Sequence, residues 1–200
     1  KRIIAYHEAG HAVVINALPE GDPVQKVSII SRGMMGGFTR ALPTEDLSLE
    51  SRKKLFANMV SMLGGRAAEE IMFDDITSGA SSDIERVTKL ARSMVTRLGM
   101  SEKLGPMVYG QKEEMVFLGR EISEQRDYSE AVAQEIDREV QSAVSEAYKT
   151  AKEILEKYKD KLIAVAERLL EVETISNKEF EAIFPPPVEK NQGIPAIIAE

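Results

Sequence analysis

The sequence contains no cysteine. Disulfides and thiolate metal sites are both excluded, and the composition fits a reducing compartment. Histidine is almost absent too, at 2 in 200 residues. No apolar run approaches the roughly 20 residues a membrane-spanning helix needs, and no signal peptide precedes Lys1. No segment matches the phosphate loop G-x-x-x-x-G-K-[ST], and no internal repeat is visible. Between Arg120 and Phe184 there is neither glycine nor proline. Positive charge is in deficit: the net charge of -7 argues against a nucleic-acid surface. What is present is ordinary for a globular chain, with 43% hydrophobic and 30% charged residues. The length allows one domain with a sizeable core, or two small subdomains.

Both histidines fall in one short stretch, Tyr6-His7-Glu8-Ala9-Gly10-His11-Ala12-Val13-Val14. This matches H-E-x-x-H, in which two histidines one helical turn apart hold zinc and the glutamate works a water molecule. Residues four apart on a helix have Cβ atoms roughly 5–6 Å apart, so both imidazoles can reach one ion. Glu8 is offset around the helix from His7, which suits a base better than a direct ligand. A catalytic zinc takes three protein ligands and keeps a fourth position open. The third is expected from elsewhere in the chain. Ile4, His7, His11, Val14 and Leu18 form one stripe of the surrounding helix, implying a mostly buried face. Pro19 and Gly21 end it. Gly10 costs about 1 kcal/mol relative to alanine mid-helix, which fits a place where a backbone or ligand comes close. The plain structural alternative is a helix with two packed or solvated histidines. The motif starts so near Lys1 that the chain reads as an excised fragment or processed module.

Val24 to Ser31 alternates like a strand, Arg32 to Gly37 is a glycine-rich turn, and Phe38 to Leu42 reads as the returning strand. Beside a zinc site, such an edge could pair with an extended substrate backbone, and Gly36, Gly37 and Phe38 are the residues to watch. Met34 and Met35 are adaptable apolar groups or simply part of a turn. Pro43 to Asp46 is a loop. Leu47 to Phe73 is largely helical, with Gly64-Gly65 kinking or dividing it. Glu69 and Glu70 are candidate third ligands, because many zinc peptidases take a glutamate from a later helix; a solvated face explains most such pairs equally well. After the loop Asp74 to Ala80, Ser82-Asp83-Ile84-Glu85 reads as a capping box with Ser82 as N-cap, opening a helix that Gly99 ends. Asp83 is a carboxylate fixed on a rigid element, which suits a ligand, although acids favour helix N-termini anyway. Met107-Val108-Tyr109 and Met115-Val116-Phe117-Leu118 read as a small hairpin or ordered loops. One long amphipathic helix follows from Tyr128 to Tyr158, a second covers Lys161 to Glu171, and Ser176 with Glu179 opens a short third. Pro185 to Pro187 ends the fold, leaving residues 188–200 as a tail.

Three segments together carry a resemblance: His7-Glu8-Ala9-Gly10-His11-Ala12, Leu63-Gly64-Gly65-Arg66-Ala67-Ala68-Glu69-Glu70, and Thr77-Ser78-Gly79-Ala80-Ser81-Ser82-Asp83-Ile84-Glu85. With Met94-Val95 and Leu98 to Glu102, they resemble the peptidase domain of FtsH-type AAA+ metalloproteases, family M41, over residues 1 to 184. The resemblance implies a mainly α, zincin-like fold with a small β-hairpin or sheet near the active site. Residues 1–100 would form the zinc-binding core, and 101–184 a helical scaffold. It implies one zinc per chain held by His7, His11 and Asp83, with Glu8 as base, and moves Glu69 and Glu70 to ion-pair or supporting roles. Substrate polypeptide would lie along the edge strand at Gly36, Gly37, Phe38 and Thr39. In the full-length protein an ATPase domain and membrane anchor would precede Lys1, in a hexamer at the cytoplasmic face of the inner membrane. ATP would act only through that domain. Two other readings stay open: a catalytically silent, zinc-stabilised assembly module, and a stand-alone zinc peptidase with Glu69 or Glu70 as third ligand.

Overall fold

The structure, a computed structural model, describes residues 1–30, 37–41, 49–110 and 127–187. Among the expectations above, Gly36, the methionines at 34 and 35, the loop at 43–46, the segment Met115 to Leu118 and the tail 188–200 lie outside the described residues. The fold is mainly helical with one small antiparallel sheet. It divides into two compact units: residues 1–87 with the chain from Glu146 onward, and Thr88–Ser145. The units therefore do not follow a break near residue 100, since the C-terminal helices cluster with the N-terminal part of the chain.

The first unit is built around α1 (Arg2–Ala17). The expected stripe understates its burial, because residues all around the helix are enclosed, including Ala5, Ala9, Ala12, Val13 and Val14. A helix apolar on every side belongs in the interior. It packs against α2 (Arg52–Met62), α3 (Gly64–Phe73) and α6 (Lys159–Val172). The α1–α3 crossing depends on glycine. A Cβ on Gly10 would lie 2.4 Å from the Gly64 carbonyl oxygen and 2.6 Å from the Ala68 Cβ. A Cβ on Gly64 would lie 2.8 Å from the Gly10 carbonyl oxygen. Only bare backbones can approach so closely. On another side, α6 presents Leu162, Val165, Ala166 and Leu169, all fully buried.

The sheet has order β2-β1-β3. β1 (Val24–Ser28) and β2 (Phe38–Ala41) are the expected hairpin arms, paired antiparallel with Val27 opposite Thr39 and Ser28 opposite Phe38. The third strand, β3 (Thr174–Ser176), pairs with the other side of β1 and places Ile175 opposite Val27. It follows α6 through Glu173, which has φ 61. Three residues carry too little alternation to read as a strand. Ser176 then caps α7 (Asn177–Ile183) through a complete capping box with Glu179.

The chain breaks at Leu63 between α2 and α3, beside the glycine pair that suggested a division. The next helix departs from expectation. Thr77 caps a 3-10 turn (Ser78–Ala80), its hydroxyl accepting from the Gly79 N–H at 3.1 Å. α4 (Ser81–Thr96) continues directly from that turn. Ser82 is thus inside the helix, and the helical path starts earlier than a Ser82 cap predicts. Gly99, at φ 60, follows the end of α4 as expected.

The second unit holds the later part of α4, the loop beyond it and the first part of α5 (Glu130–Lys157). Its core includes Ala91, Met94, Val95, Ala133, Ile136 and Val140. Met107-Val108-Tyr109 is loop rather than strand. Its Tyr109 hydroxyl donates to the Leu104 carbonyl at 2.7 Å, and its ring meets Tyr128 edge-on. No helix among the described residues is long and apolar enough to cross a membrane.

Candidate metal centre

His7 and His11 lie one turn apart on α1 with their Nε2 atoms 3.1 Å apart. Asp83, in the first turn of α4, brings its Oδ2 within 3.5 Å of each. Zinc bonds of about 2.0–2.1 Å in tetrahedral geometry set ligand atoms roughly 3.3–3.4 Å apart. The three atoms therefore form a triangle of the size one zinc ion requires. The donor chemistry also suits it, with two neutral imidazoles and a carboxylate.

The other ring nitrogens are held from behind. His7 Nδ1 lies 2.7 Å from Glu69 Oε1, and His11 Nδ1 lies 2.8 Å from the Ser61 carbonyl oxygen. Both partners accept hydrogen bonds. Each imidazole consequently carries its proton on Nδ1 and turns the Nε2 lone pair into the triangle. Glu69 is buried, with its second oxygen accepting from the Thr77 N–H at 2.7 Å. One carboxylate thus fixes His7 and anchors the turn that leads into Asp83. Glu69 is placed on Nδ1, away from the Nε2 atoms. Glu70 points elsewhere, accepting from Lys152 Nζ at 2.7 Å and from the Tyr148 hydroxyl. Neither glutamate belongs to the triangle, which consists of His7, His11 and Asp83.

Space above the triangle is kept by Gly65. A Cβ there would lie 2.5 Å from His7 Nε2 and 2.6 Å from His11 Nε2. Any side chain there would press on both Nε2 atoms. Read by local pattern, Gly64-Gly65 is only a kink or a division of the helix. One glycine serves the helix crossing, and the next keeps the imidazole face open.

The charges respond to one another. Burial pushes the Asp83 carboxyl up, but His11 and His7 beside it prevail and hold it well below the usual carboxylate range. Burial disfavours the charged form of His7, yet hydrogen bonds to Asp83 and Glu69 and the nearby Glu8 charge leave its pKa above the ordinary value. This site attracts positive charge, and a divalent cation is one way to supply it. Glu8 is 6% exposed. Burial raises its pKa, with His11, Thr39 and His7 opposing the shift. A buried carboxylate near two imidazoles, with a raised pKa, has the properties of a general base.

Of the residues expected along the substrate edge, Gly37 packs directly on Glu8, and the Thr39 hydroxyl lies 2.9 Å from Glu8 Oε2. The Phe38 ring lies 6.0 Å from Lys26 Nζ. The link between Thr39 and Glu8 has no counterpart in the sequence, since nothing in a local motif ties position 39 to position 8.

Comparison with known proteins places the chain in a family. The family description "Peptidase family M41" matches residues 1–183. A protein of Thermomicrobium roseum named ATP-dependent zinc metalloprotease FtsH 1 is 54% identical over 187 residues, which is 94% of this chain and 29% of that protein. The protein of the same name from Sphaerobacter thermophilus is 54% identical over 192 residues, covering 96% of this chain and 29% of the relative. The ATP-dependent zinc metalloprotease FtsH of Thermotoga maritima is 53% identical over 191 residues, covering 95% and 31%. The chain spans less than a third of the length of these relatives. On the match over residues 1–183, and on more than half identity to such proteins, the chain belongs to peptidase family M41.

Proposed function

We propose that residues 1–184 form a zinc-dependent endopeptidase that hydrolyses unfolded or flexible polypeptides. The observation that carries this reading is the triangle of His7 Nε2, His11 Nε2 and Asp83 Oδ2, with sides of 3.1 and 3.5 Å beside the buried Glu8. In this reading the three side chains hold one zinc ion. Bound there, zinc lowers the pKa of water to about 7 and polarises a carbonyl. Glu69 and the Ser61 carbonyl keep the imidazoles in the correct tautomer and orientation. Glu8 takes a proton from the attacking water and returns it to the leaving amine. Glu69 and Glu70 are not needed as ligands, because their oxygens are engaged elsewhere. The retention of Glu8 in a buried site favours catalysis over a silent assembly role.

Substrate would pair with β2 near Gly36, Gly37, Phe38 and Thr39. β2 bonds to β1 on one side, and among the described residues no strand covers its other side. Main-chain pairing would give loose sequence preference. The relatives are named as ATP-dependent proteases. With the resemblance to FtsH-type proteases, they support a full-length protein with an ATPase domain and membrane anchor, assembled as a hexamer at the cytoplasmic face of the inner membrane.

The test is cleavage of unfolded β-casein by this chain, with and without a zinc chelator. Cleavage that stops on chelation and returns with added zinc is the expected result. Cleavage that persists in the metal-free protein overturns the proposal, as does zinc-loaded protein that leaves casein intact.

A further inference from the structure

We propose that Thr39 is a positioning residue for Glu8, setting the rotamer of the base from the face of β2. This rests on the reading of Glu8 as the base.

In a strand, residues two apart share a face. Gly37 and Thr39 share one, and both meet Glu8. The Thr39 hydroxyl lies 2.9 Å from Glu8 Oε2 and 3.0 Å from the Glu8 main-chain oxygen. A Cβ on Gly37 would lie 2.8 Å from Glu8 Oε1 and 2.9 Å from Glu8 Cγ. β2 and the residue just before it therefore bound both carboxylate oxygens, with the Thr39 donor at Oε2 and the bare Gly37 at Oε1. The Thr39 side chain donates a hydrogen bond to this carboxylate.

A glutamate has three side-chain torsions, and packing alone leaves the last of them broad. A base must come within about 2.6–3.2 Å of the proton it removes. Misplacement of reacting groups by about 1 Å can cost roughly 100-fold in rate. The hydroxyl supplies the missing restraint. Because it also reaches the helix carbonyl of the same residue, it ties the carboxylate to the backbone of α1 through β2. A methyl group in its place keeps the volume and removes the donor. The main chain of Thr39 is left to the sheet, where it pairs with Val27.

The experiment compares wild type, Thr39→Val and Thr39→Ser, each zinc-loaded, on unfolded β-casein, with bound zinc measured in parallel. Thr39→Val is expected to lower kcat about tenfold or more, the scale of a hydrogen bond to a charged group, with KM and zinc content unchanged. Thr39→Ser should restore most of the loss. An unchanged kcat in Thr39→Val overturns the proposal. So does a raised KM at unchanged kcat, which would put the side chain on the substrate. Wild type inactive with zinc bound would instead sink the reading of the base, and the two failures are distinct. A second measurement needs no activity. In metal-free protein, Thr39→Val should lower the melting temperature more when Glu8 is present than in the Glu8→Ala background. Equal effects in both backgrounds overturn the proposal. Should Thr39→Val not fold, Thr39→Ala replaces it in both experiments with the same overturning results.

Discussion

Glu8 and Glu69 are both buried carboxylates; Glu8 meets the Thr39 hydroxyl, and Glu69 meets His7 Nδ1 and the Thr77 N–H. Their substitution should separate chemistry from metal binding. Glu8→Gln keeps the shape of the side chain and loses the base. It should retain zinc and lose about 10²–10⁴-fold in kcat, the usual range for general acid–base catalysis. Metal analysis beside casein cleavage checks this, and a fully active Glu8→Gln protein would remove Glu8 from the mechanism. Glu69→Gln should behave in the opposite order. The amide accepts more weakly from His7 Nδ1, so ring orientation and basicity suffer first. Zinc affinity should fall about 10–100-fold, as for other residues that orient a metal-binding histidine, and activity should recover at high zinc concentration. Competition with a fluorescent zinc chelator measures the affinity. At this scale the sequence was informative where residue type and spacing both carried chemistry, as in His7, Glu8 and His11. It was silent where the link was made in space. Ser61 acts through its carbonyl oxygen, which no side-chain pattern can reveal. Glu69 stood out as a candidate, but which nitrogen it would face depends on the crossing of α1 and α3.

The α1–α3 crossing is the element on which the site depends, because α1 carries two members of the triangle and α3 carries Glu69 and Gly65. Gly64→Ala inserts a Cβ only 2.8 Å from the Gly10 carbonyl oxygen. The contact is backbone, so the helices themselves must separate. The expected cost is about 1–3 kcal/mol, typical of overpacking, with a matching loss of zinc affinity as the imidazoles move from Glu69 and Ser61. Urea unfolding and zinc titration of one preparation test both halves, and unchanged stability would show that the crossing tolerates a side chain. Leu169→Ala, on the buried face of α6, should cost about 2–5 kcal/mol by leaving a cavity, with less effect on zinc affinity. The helices themselves were largely legible, because long apolar periodicity and caps such as Ser176 with Glu179 are local signals. β3 was not, since a three-residue strand owes its existence to pairing with β1. The start of α4 was also misplaced. Ser82 and Glu85 have the spacing of a capping box, but Thr77 caps the preceding turn and the chain is already coiled at Ser78. Competing local signals of similar strength are resolved only by what the loop must reach, here the Glu69 carboxylate.

For the molecule as a whole, two linkages set stability against solution conditions. The first is Glu70, whose pKa is lowered by Lys152 and Tyr148. Its folded pKa is below its unfolded value near 4.5, so the unfolded chain binds more protons as acid is added. The stabilisation is complete above that value and fades as pH falls through the folded pKa. Tyr148, pushed up to about 12 mainly by burial and by Glu70, acts on the alkaline side: its contribution is present below about 10 and is lost as pH climbs toward 12. Glu70→Gln should flatten the acid side of the melting-temperature profile relative to wild type in metal-free protein. The effect is modest because the side chain of Glu70 is 38% exposed. Parallel profiles for the two proteins would show that the link contributes nothing. The second linkage is the metal. His7 and His11 come from α1 and Asp83 from α4, so a bound ion joins segments far apart in sequence and favours the folded state. At 100 times its Kd, an ion that binds only the folded chain adds about 2.7 kcal/mol. For a chain of this size that corresponds to a rise of roughly 5–10 °C in melting temperature. Asp83→Ala removes one corner of the triangle and should abolish most of that rise; the metal-free melting temperature should fall as well, because the two histidines lose the carboxylate they hold ionised. Thermal scans with chelator and with zinc, on wild type and Asp83→Ala, decide the matter. A zinc-dependent rise of equal size in Asp83→Ala would mean that the third ligand lies elsewhere, and the triangle would lose its claim to be the metal site.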